Sequence, residues 1–499
     1  MDPLVTCTLI IAILVLLYRY VTKNNNYWNT LCIPFARPIP LFGNVLPFLQ
    51  QTKCPAFFFM DLYNSATHSL YGFFLLRTPA LLIRDPELIK YMFVRDFDSF
   101  RDRPGGHCDH DKVGANTLFF MKSPTWKEMR SSLSPFFSPH KLEKMSETIF
   151  QFGDQLVDHI KEKVSNQDEI SAFKALSMYT SDIIASCFFG LAVNSLKNGN
   201  LWFQIMSESL TKASYMRFVE STCVMLLPRF ANFFNMTFFD RTSTENLINL
   251  FTNAMEERKR STYSRGDLVD LLINISEGGA KVFRKEEILA QALQLQFGGY
   301  ETSSNTINLA LYELCLHPHV QARLRKEVSH ILLNHQTLSL DVIREMKYLD
   351  MVVSESLRKH PILPVIDREC TISYKIPNTD VVIEKGTPCY VSVFGLHYDS
   401  EFFPNPEKFD PERFSPENKC NIVSGSYLPF GIGPRRCIGT NLGLIIVKVA
   451  LIKIIHNFEV QLCETEKRKI EYNSKRYLTG HDNKSEHMKF VPLHKSSVF

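Results

Sequence analysis

The sequence predicts a mainly α protein with a small β portion (α+β), carried on an amino-terminal membrane segment. Three observations support this: long stretches with apolar residues at helical spacing, two short stretches rich in β-branched residues, and an almost wholly apolar run over residues 3–21. With 499 residues, 45% of them hydrophobic, the chain has the material for a large core. Its 56 basic and 52 acidic residues leave a net charge of only +4. No basic run or stacking-aromatic basic module points to nucleic acid. Twelve cysteines are scattered without any C-x-x-C, a poor basis for a disulfide framework or a zinc site and suited to a reducing compartment.

The apolar run has no Lys or Arg before it, Asp2 ahead, and Arg19 and Lys23 behind. That basic flank stays cytosolic by the positive-inside rule, and at ~1.5 Å per residue the run just spans a hydrocarbon core. A cleaved signal peptide would need a basic n-region and a small-residue cleavage site, and neither is evident. The reading is therefore an uncleaved anchor over residues 1–22, a stiff extended link over 23–44 bearing Pro34, Pro38 and Pro40, and one large domain over 45–499. With that domain cytosolic, the sequons at Asn235, Asn274 and Asn483 go unused. Helices are predicted over 139–163, 171–189, 245–259, 285–316 and 320–334. A small sheet is predicted from 73–85 and 379–392.

Chemistry concentrates in Phe430-Gly431-Ile432-Gly433-Pro434-Arg435-Arg436-Cys437-Ile438-Gly439, just ahead of an apolar helical run. Gly431 and Gly433 permit a tight turn and free backbone N–H groups to face the sulfur. A thiolate at Cys437 is favoured by those donors and by the positive end of the following helix. Arg435 offers a permanent cation to a carboxylate, and Gly439 lets the helix start approach a planar ligand. Taken alone, a buried free cysteine in a turn is the competing reading.

Further stretches carry chemistry of their own. Trp126 and Arg130 place two donors one helical turn apart. Adjacent Gly298 and Gly299 inside a predicted helix cost about 1 kcal/mol each relative to alanine, so something else needs the space; Glu301 and Thr302 follow as an acid-alcohol pair. Glu355 and Arg358 stand at i, i+3, with Arg413 downstream in Asp410-Pro411-Glu412-Arg413-Phe414. The segment His107-Cys108-Asp109-His110-Asp111 offers metal-ligand types but no further ligands, and is not taken as a metal site. From 201 to 240, aromatic and methionine residues crowd a stretch that reads equally as core or as a lipid-facing channel mouth.

The 430–439 loop, the Glu301-Thr302 pair, the Glu355/Arg358/Arg413 set and Trp126/Arg130 together resemble the cytochrome P-450 family, and the likeness runs almost continuously from residue 33 through the Cys437 loop. Phrases such as Ile383-Glu384-Lys385-Gly386-Thr387 bring it nearest to insect microsomal members of the clan that includes vertebrate family 3. The resemblance implies that family's fold, with a long central helix over haem, and a haem-thiolate catalytic domain with Cys437 on the iron of haem b. It assigns the haem contacts to Phe430, Gly431, Gly433, Gly439, Trp126, Arg130, Arg368 and Arg435. Proton delivery falls to Thr302 and Glu301, a structural lock to Glu355, Arg358 and Arg413, and substrate contact to Phe119, Phe120, Gly298, Leu363, Val365 and Tyr477. It further implies a monooxygenase of lipophilic small molecules such as plant toxins or insecticides, on the cytosolic face of the endoplasmic reticulum. Electrons would come from NADPH through a flavoprotein reductase docking near Lys127, Arg436 and Lys448, and a contribution from cytochrome b5 is left open. Asn441 stands where relatives usually carry Arg, and Ile446 where a polar residue is common. The open alternatives are the same chemistry on one endogenous steroid, terpenoid or pheromone, a non-oxygenase haem isomerase, and a membrane-anchored binding protein.

Overall fold

The computed structural model describes residues 3–106, 108–167, 170–210, 214–261, 263–278, 283–463, 472–473, 478–479 and 488–493. In chain order its principal elements are helix α1 (Pro3–Thr22), strands β1 (Leu70–Leu75) and β2 (Thr78–Ile83), and helices α2 (Thr125–Leu133), α3 (Pro139–Ser165), α4 (Ala172–Phe189), α5 (Tyr215–Leu226), α6 (Arg241–Arg260), α7 (Lys285–Leu316), α8 (Pro318–Asn334) and α9 (Lys347–Lys359). Strands β3 (Val365–Glu369) and β4 (Pro388–Ser392), helix α10 (Thr440–Asn457), and strands β5 (Phe458–Leu462) and β6 (Met488–Pro492) follow. The mainly α reading with a small β portion holds.

Helix α7 organises the rest. Its 32 residues extend ~48 Å. It opens on a one-sided cap: the Glu287 carboxylate accepts from the Arg284 backbone N–H at 2.8 Å and pairs with the Arg284 guanidinium at 2.9 Å, with Glu286 and Glu287 favouring the positive helix end. It stops where Pro318 could not continue it. Side chains are buried on every side of it, as expected of a helix surrounded by protein, and α4, α9 and α10 pack against it. Predicted helix ends hold within a few residues. The largest shift is α6, which starts at Arg241 because the Asp240 carboxylate caps it, accepting from the Ser243 N–H at 2.9 Å.

The sheet order is β1-β2-β4-β3, with β1/β2 and β3/β4 antiparallel and β2/β4 parallel. The predicted 73–85 stretch is a hairpin turning at Leu76, whose φ is +54°. Strand β3 escapes a hydrophobic-pattern reading because Asp367 and Arg368 sit buried within it. Two large apolar clusters result, one among the helices and one around the sheet, with a small third around Cys54, Ala56 and Phe394.

The 23–44 stretch is extended around its prolines but is not a spacer. Trp28, fully buried, donates from Nε1 to the Phe73 carbonyl at 3.2 Å, and Pro34 and Ala36 bond to the Gly72 backbone at 2.8 and 2.9 Å. Two described helices are long and apolar enough to cross a membrane. Helix α10 is mostly buried in the core, whereas α1 buries only Val21.

Candidate active site

A cavity of about 350 Å³ lies where the two apolar clusters meet, with Leu118, Trp126 and Leu442 on its wall from one and Phe120, Phe218 and Met225 from the other. Cys437 opens into it. The loop that presents this thiol turns at Gly431 (φ +76°) and Gly433 (φ +70°) and closes with the Cys437 N–H donating to the Phe430 carbonyl at 2.9 Å. The amide that faces the sulfur belongs to Gly439. That of Gly431 donates instead to the Leu428 carbonyl at 3.1 Å, which corrects the expectation that the turn glycines supply the donors.

The sulfur is accessible to the cavity while protein encloses it on its other sides. Burial therefore pushes its pKa up, and the Gly439 N–H, the Thr440 hydroxyl, Arg130 and Arg436 pull it back. A Cβ at Gly433 would stand 2.1 Å from the Phe93 carbonyl oxygen, whereas one at Gly431 would meet only the Arg436 Cα at 3.8 Å. Gly431→Ala should then cost the ~1–2 kcal/mol of a left-handed residue. Gly433→Ala should cost clearly more, because backbone must move. Chemical unfolding of the two variants checks the order; equal losses would contradict it.

Cations gather along one edge. Arg103, Arg130, Arg435 and Trp126 line the cavity, and the Arg435 guanidinium lies 4.0 Å from the Trp126 ring centroid. Arg435 donates to the carbonyls of Arg101 (2.8 Å), Leu118 (3.3 Å) and Met121 (2.8 Å) and pairs with Asp102 at 3.1 Å. Burial, reinforced by Arg103, pushes its pKa down to about 9. Arg103 pairs with Asp367 and stacks on Phe119 at 3.8 Å. Arg368 is not on the wall. It is fully buried behind it, donating to the carbonyls of Asp367 (2.7 Å) and Ile432 (3.3 Å), and burial followed by Arg103 holds its pKa well below the usual value. The Nε atoms of both Arg103 and Arg368 are buried without a hydrogen-bond partner among the described residues. Such an edge is chemically suited to carboxylates. Arg103 was missed in the sequence because Arg101-Asp102-Arg103 reads like any solvated charge cluster.

The two helix glycines of α7 serve different ends. A Cβ at Gly298 would meet nothing within 4 Å and would project into the cavity; at Gly299 it would fall 2.4 Å from Ile184 Cδ1 of α4. Glu301 and Thr302 both line the cavity, and the Thr302 hydroxyl donates to the Gly298 carbonyl at 2.6 Å. Phe119, Phe120 and Leu363 lie on the wall as expected. Val365 does not: it pairs with Ser392 inside the sheet and is core, and Ile362 takes the place by the cavity. Tyr477 lies outside the described residues, and its neighbour Leu478 is on the wall.

Glu355 and Arg358 form a fully buried bidentate pair at 2.7 and 2.9 Å. Arg413 stands farther from Glu355, at 3.4 Å, and donates to the carbonyls of Pro404 and Asn405. The 201–240 stretch divides: Phe218, Phe238 and Phe239 wall the cavity, while Phe230, Phe233 and Phe234 are exposed. The described part of the His107–Asp111 segment ties this roof down. The Asp109 N–H donates to Asn232 Oδ1 at 3.0 Å, His110 Nε2 reaches the Met236 carbonyl at 2.7 Å, and Asp111 accepts from the Phe238 N–H at 3.1 Å.

A family model described as Cytochrome P450 matches residues 33–487. The chain belongs to the cytochrome P-450 family. Among its curated relatives, "Cytochrome P450 6k1" of Blattella germanica is 35% identical over 482 residues, covering 92% of this chain and 91% of that protein. "Cytochrome P450 6l1" of the same insect is 37% identical over 460 residues, covering 91% of each. As a cytochrome P-450 it is a haem monooxygenase drawing electrons from NADPH by way of a reductase. The residues present fit that cofactor. One thiol faces the cavity among the described residues, an arginine-rich edge is set for two carboxylates, and a Cβ at Gly439 would meet only the Phe137 ring at 3.8 Å, so its space belongs to the cavity.

Proposed function

We propose that this monooxygenase oxidises a broad range of lipophilic small molecules, such as plant toxins and insecticides, by hydroxylation or epoxidation. The supporting observation is the cavity wall above the cysteine loop, dominated by Phe119, Phe120, Phe218, Phe238, Phe297 and Leu363 with few polar groups among them. Such a wall selects by desolvation and shape more than by hydrogen-bond readout. Incubating the enzyme with reductase, NADPH and a panel of unrelated toxins, steroids and terpenoids tests this. Comparable oxidation of several toxins is expected; efficient turnover of a single steroid or terpenoid would overturn it.

Cys437 would supply the ligand to the haem iron, and a metal-bound thiol is deprotonated outright even in a buried setting. Arg103, Arg130, Arg435 and Trp126 would hold the haem carboxylates, with Arg368 adding positive charge from behind. When bound, haem would supply the oxygen-activating chemistry. Thr302, its own proton spent on Gly298, keeps lone pairs free to orient a donor in the cavity, and Glu301 next to it brings protons inward. Thr302→Ala should retain haem yet lower product formed per NADPH about tenfold or more, the remainder leaving as peroxide, with water offsetting part of the ~10²–10⁴ that a positioned proton donor contributes. Unchanged coupling would contradict the assignment.

Residues 1–22 tether the enzyme to the endoplasmic reticulum, with the domain from residue 45 onward, and the docked 23–44 stretch, on the cytosolic side. The exposed Phe230, Phe233 and Phe234 extend the apolar surface offered to the bilayer. Protease added to sealed microsomes should digest the domain. A protected domain carrying glycans at Asn235 would reverse the orientation. Lys127 and Arg436, both exposed, are the candidate contacts for the reductase, whereas Lys448 is engaged by Asp350.

A further inference from the structure

The buried Glu355–Arg358 pair is within the fold's interior, and its connection to the cysteine loop runs through a residue that the sequence does not single out. Arg358 Nη1 donates to the His397 carbonyl at 2.9 Å, and His397 Nδ1 lies 2.9 Å from the Arg358 carbonyl, so the two residues clasp each other. On the far side of the ring, the Leu428 N–H donates to His397 Nε2 at 2.9 Å. A backbone N–H can only donate, so Nε2 carries no proton; Nδ1 carries it and donates to the Arg358 carbonyl. Beyond Leu428, its carbonyl accepts from Gly431, the first left-handed residue of the turn, and Phe430 then accepts from Cys437 itself. The His397 ring is fully buried, stacked on Tyr427 with centroids 5.4 Å apart and edge-on to Phe403 at 6.0 Å.

We propose that His397 is a positioning residue for the metal ligand: fixed in one tautomer, it transmits the geometry of the Glu355–Arg358 pair to the backbone that aims Cys437. Burial, with Arg358 beside it, holds its pKa down to about 3, so the ring stays neutral and keeps an acceptor for Leu428. Tyr427 provides a parallel tie, its hydroxyl donating to the Ser354 carbonyl of α9 at 2.9 Å. Glu355, Arg358 and Arg413 thus bear on the cysteine through His397 and Tyr427. The inference rests on reading Cys437 as the iron's ligand.

The test compares holoenzyme carrying His397→Phe, His397→Gln and Phe403→Leu with wild type. Two readouts are used: the rate at which the red-shifted Soret band of the ferrous carbon-monoxide complex converts to the short-wavelength form under dilute guanidinium, and amide exchange at Leu428. His397→Phe fills the space but leaves the Leu428 donor and the Arg358 acceptor unsatisfied. It should speed both conversion and exchange by about tenfold or more. His397→Gln, whose amide offers a donor and an acceptor at similar spacing, should recover most of that loss. Phe403→Leu, which loosens packing on the same ring, should lower the unfolding midpoint without speeding conversion.

Wild-type rates in His397→Phe, or losses in His397→Phe and His397→Gln that merely track the unfolding midpoint, would overturn the proposal. Where His397→Phe yields no holoprotein, His397→Asn keeps the donor to Arg358 but cannot reach Leu428, and must still raise exchange there. A wild-type enzyme without the red-shifted band would fail the ligand assignment alone, and exchange at Leu428 would still judge the bridge.

Discussion

Replacing Cys437 by alanine is expected to abolish monooxygenase turnover and remove the low-spin thiolate signature of the ferric enzyme, while leaving a folded protein. The loop turns through Gly431 and Gly433 and closes through the Cys437 backbone, none of which needs the sulfur. The side chain faces the cavity and makes no part of either apolar cluster, so its loss removes little packing. What disappears is the one thiol that lines that wall among the described residues. Haem can still be drawn in by Arg103, Arg130 and Arg435 and by burial of its ring. It would then sit without an anionic donor that pushes electron density onto the iron, and oxygen would not be activated. Absorption and paramagnetic resonance spectra of the variant, alongside a melting curve within a few degrees of wild type, would establish both halves. A variant that keeps the thiolate signature would mean that another of the twelve cysteines is the ligand.

Arg358→Ala should be the most damaging substitution away from the cavity, costing about 3–5 kcal/mol, because it strands a buried carboxylate. Glu355 and Arg358 are both fully buried, and Glu355 also accepts from the Asp410 N–H at 2.8 Å. Arg358 additionally donates to the carbonyls of His397 (2.9 Å) and Pro406 (2.8 Å). One substitution therefore leaves several buried groups without partners, in a fold whose whole stability is on the order of 5–15 kcal/mol. Haem should be lost early in denaturation, since the cysteine loop is tied to this pair. Arg413→Ala should cost far less, as that side chain is 3.4 Å from Glu355 and keeps some solvent contact. Denaturant unfolding followed by fluorescence and by the Soret band checks both variants; a loss below about 1 kcal/mol for Arg358→Ala is what an exposed pair would give, and would contradict this account.

The long elements were legible in the sequence because their physics is local. Helix α7 runs from Lys285 to Leu316, the predicted bounds, since an acidic first turn and a following proline mark its ends. The cysteine loop was legible because glycines, arginine and cysteine at fixed spacing have few alternative explanations. What the sequence hid depends on contacts between distant segments. Arg103 and Arg368 become a cationic pair around Asp367 only when β3 pairs with β4 and the 101–103 stretch is brought against them. The family resemblance makes Val365 a substrate contact, yet strand pairing turns it into the sheet. Gly298 and Gly299 are indistinguishable in sequence, and only the approach of Ile184 separates the one that opens space from the one that admits a neighbouring helix. His397 carries no motif at all; its importance lies in which backbone groups happen to stand on each side of its ring.

The most direct test of the whole account is the absorption spectrum of the purified wild-type protein, reduced and exposed to carbon monoxide. A strongly red-shifted Soret band, one haem per chain and lost in Cys437→Ala, is the predicted result. A chain that takes up no haem, or a band at the position given by a nitrogen ligand, would contradict it.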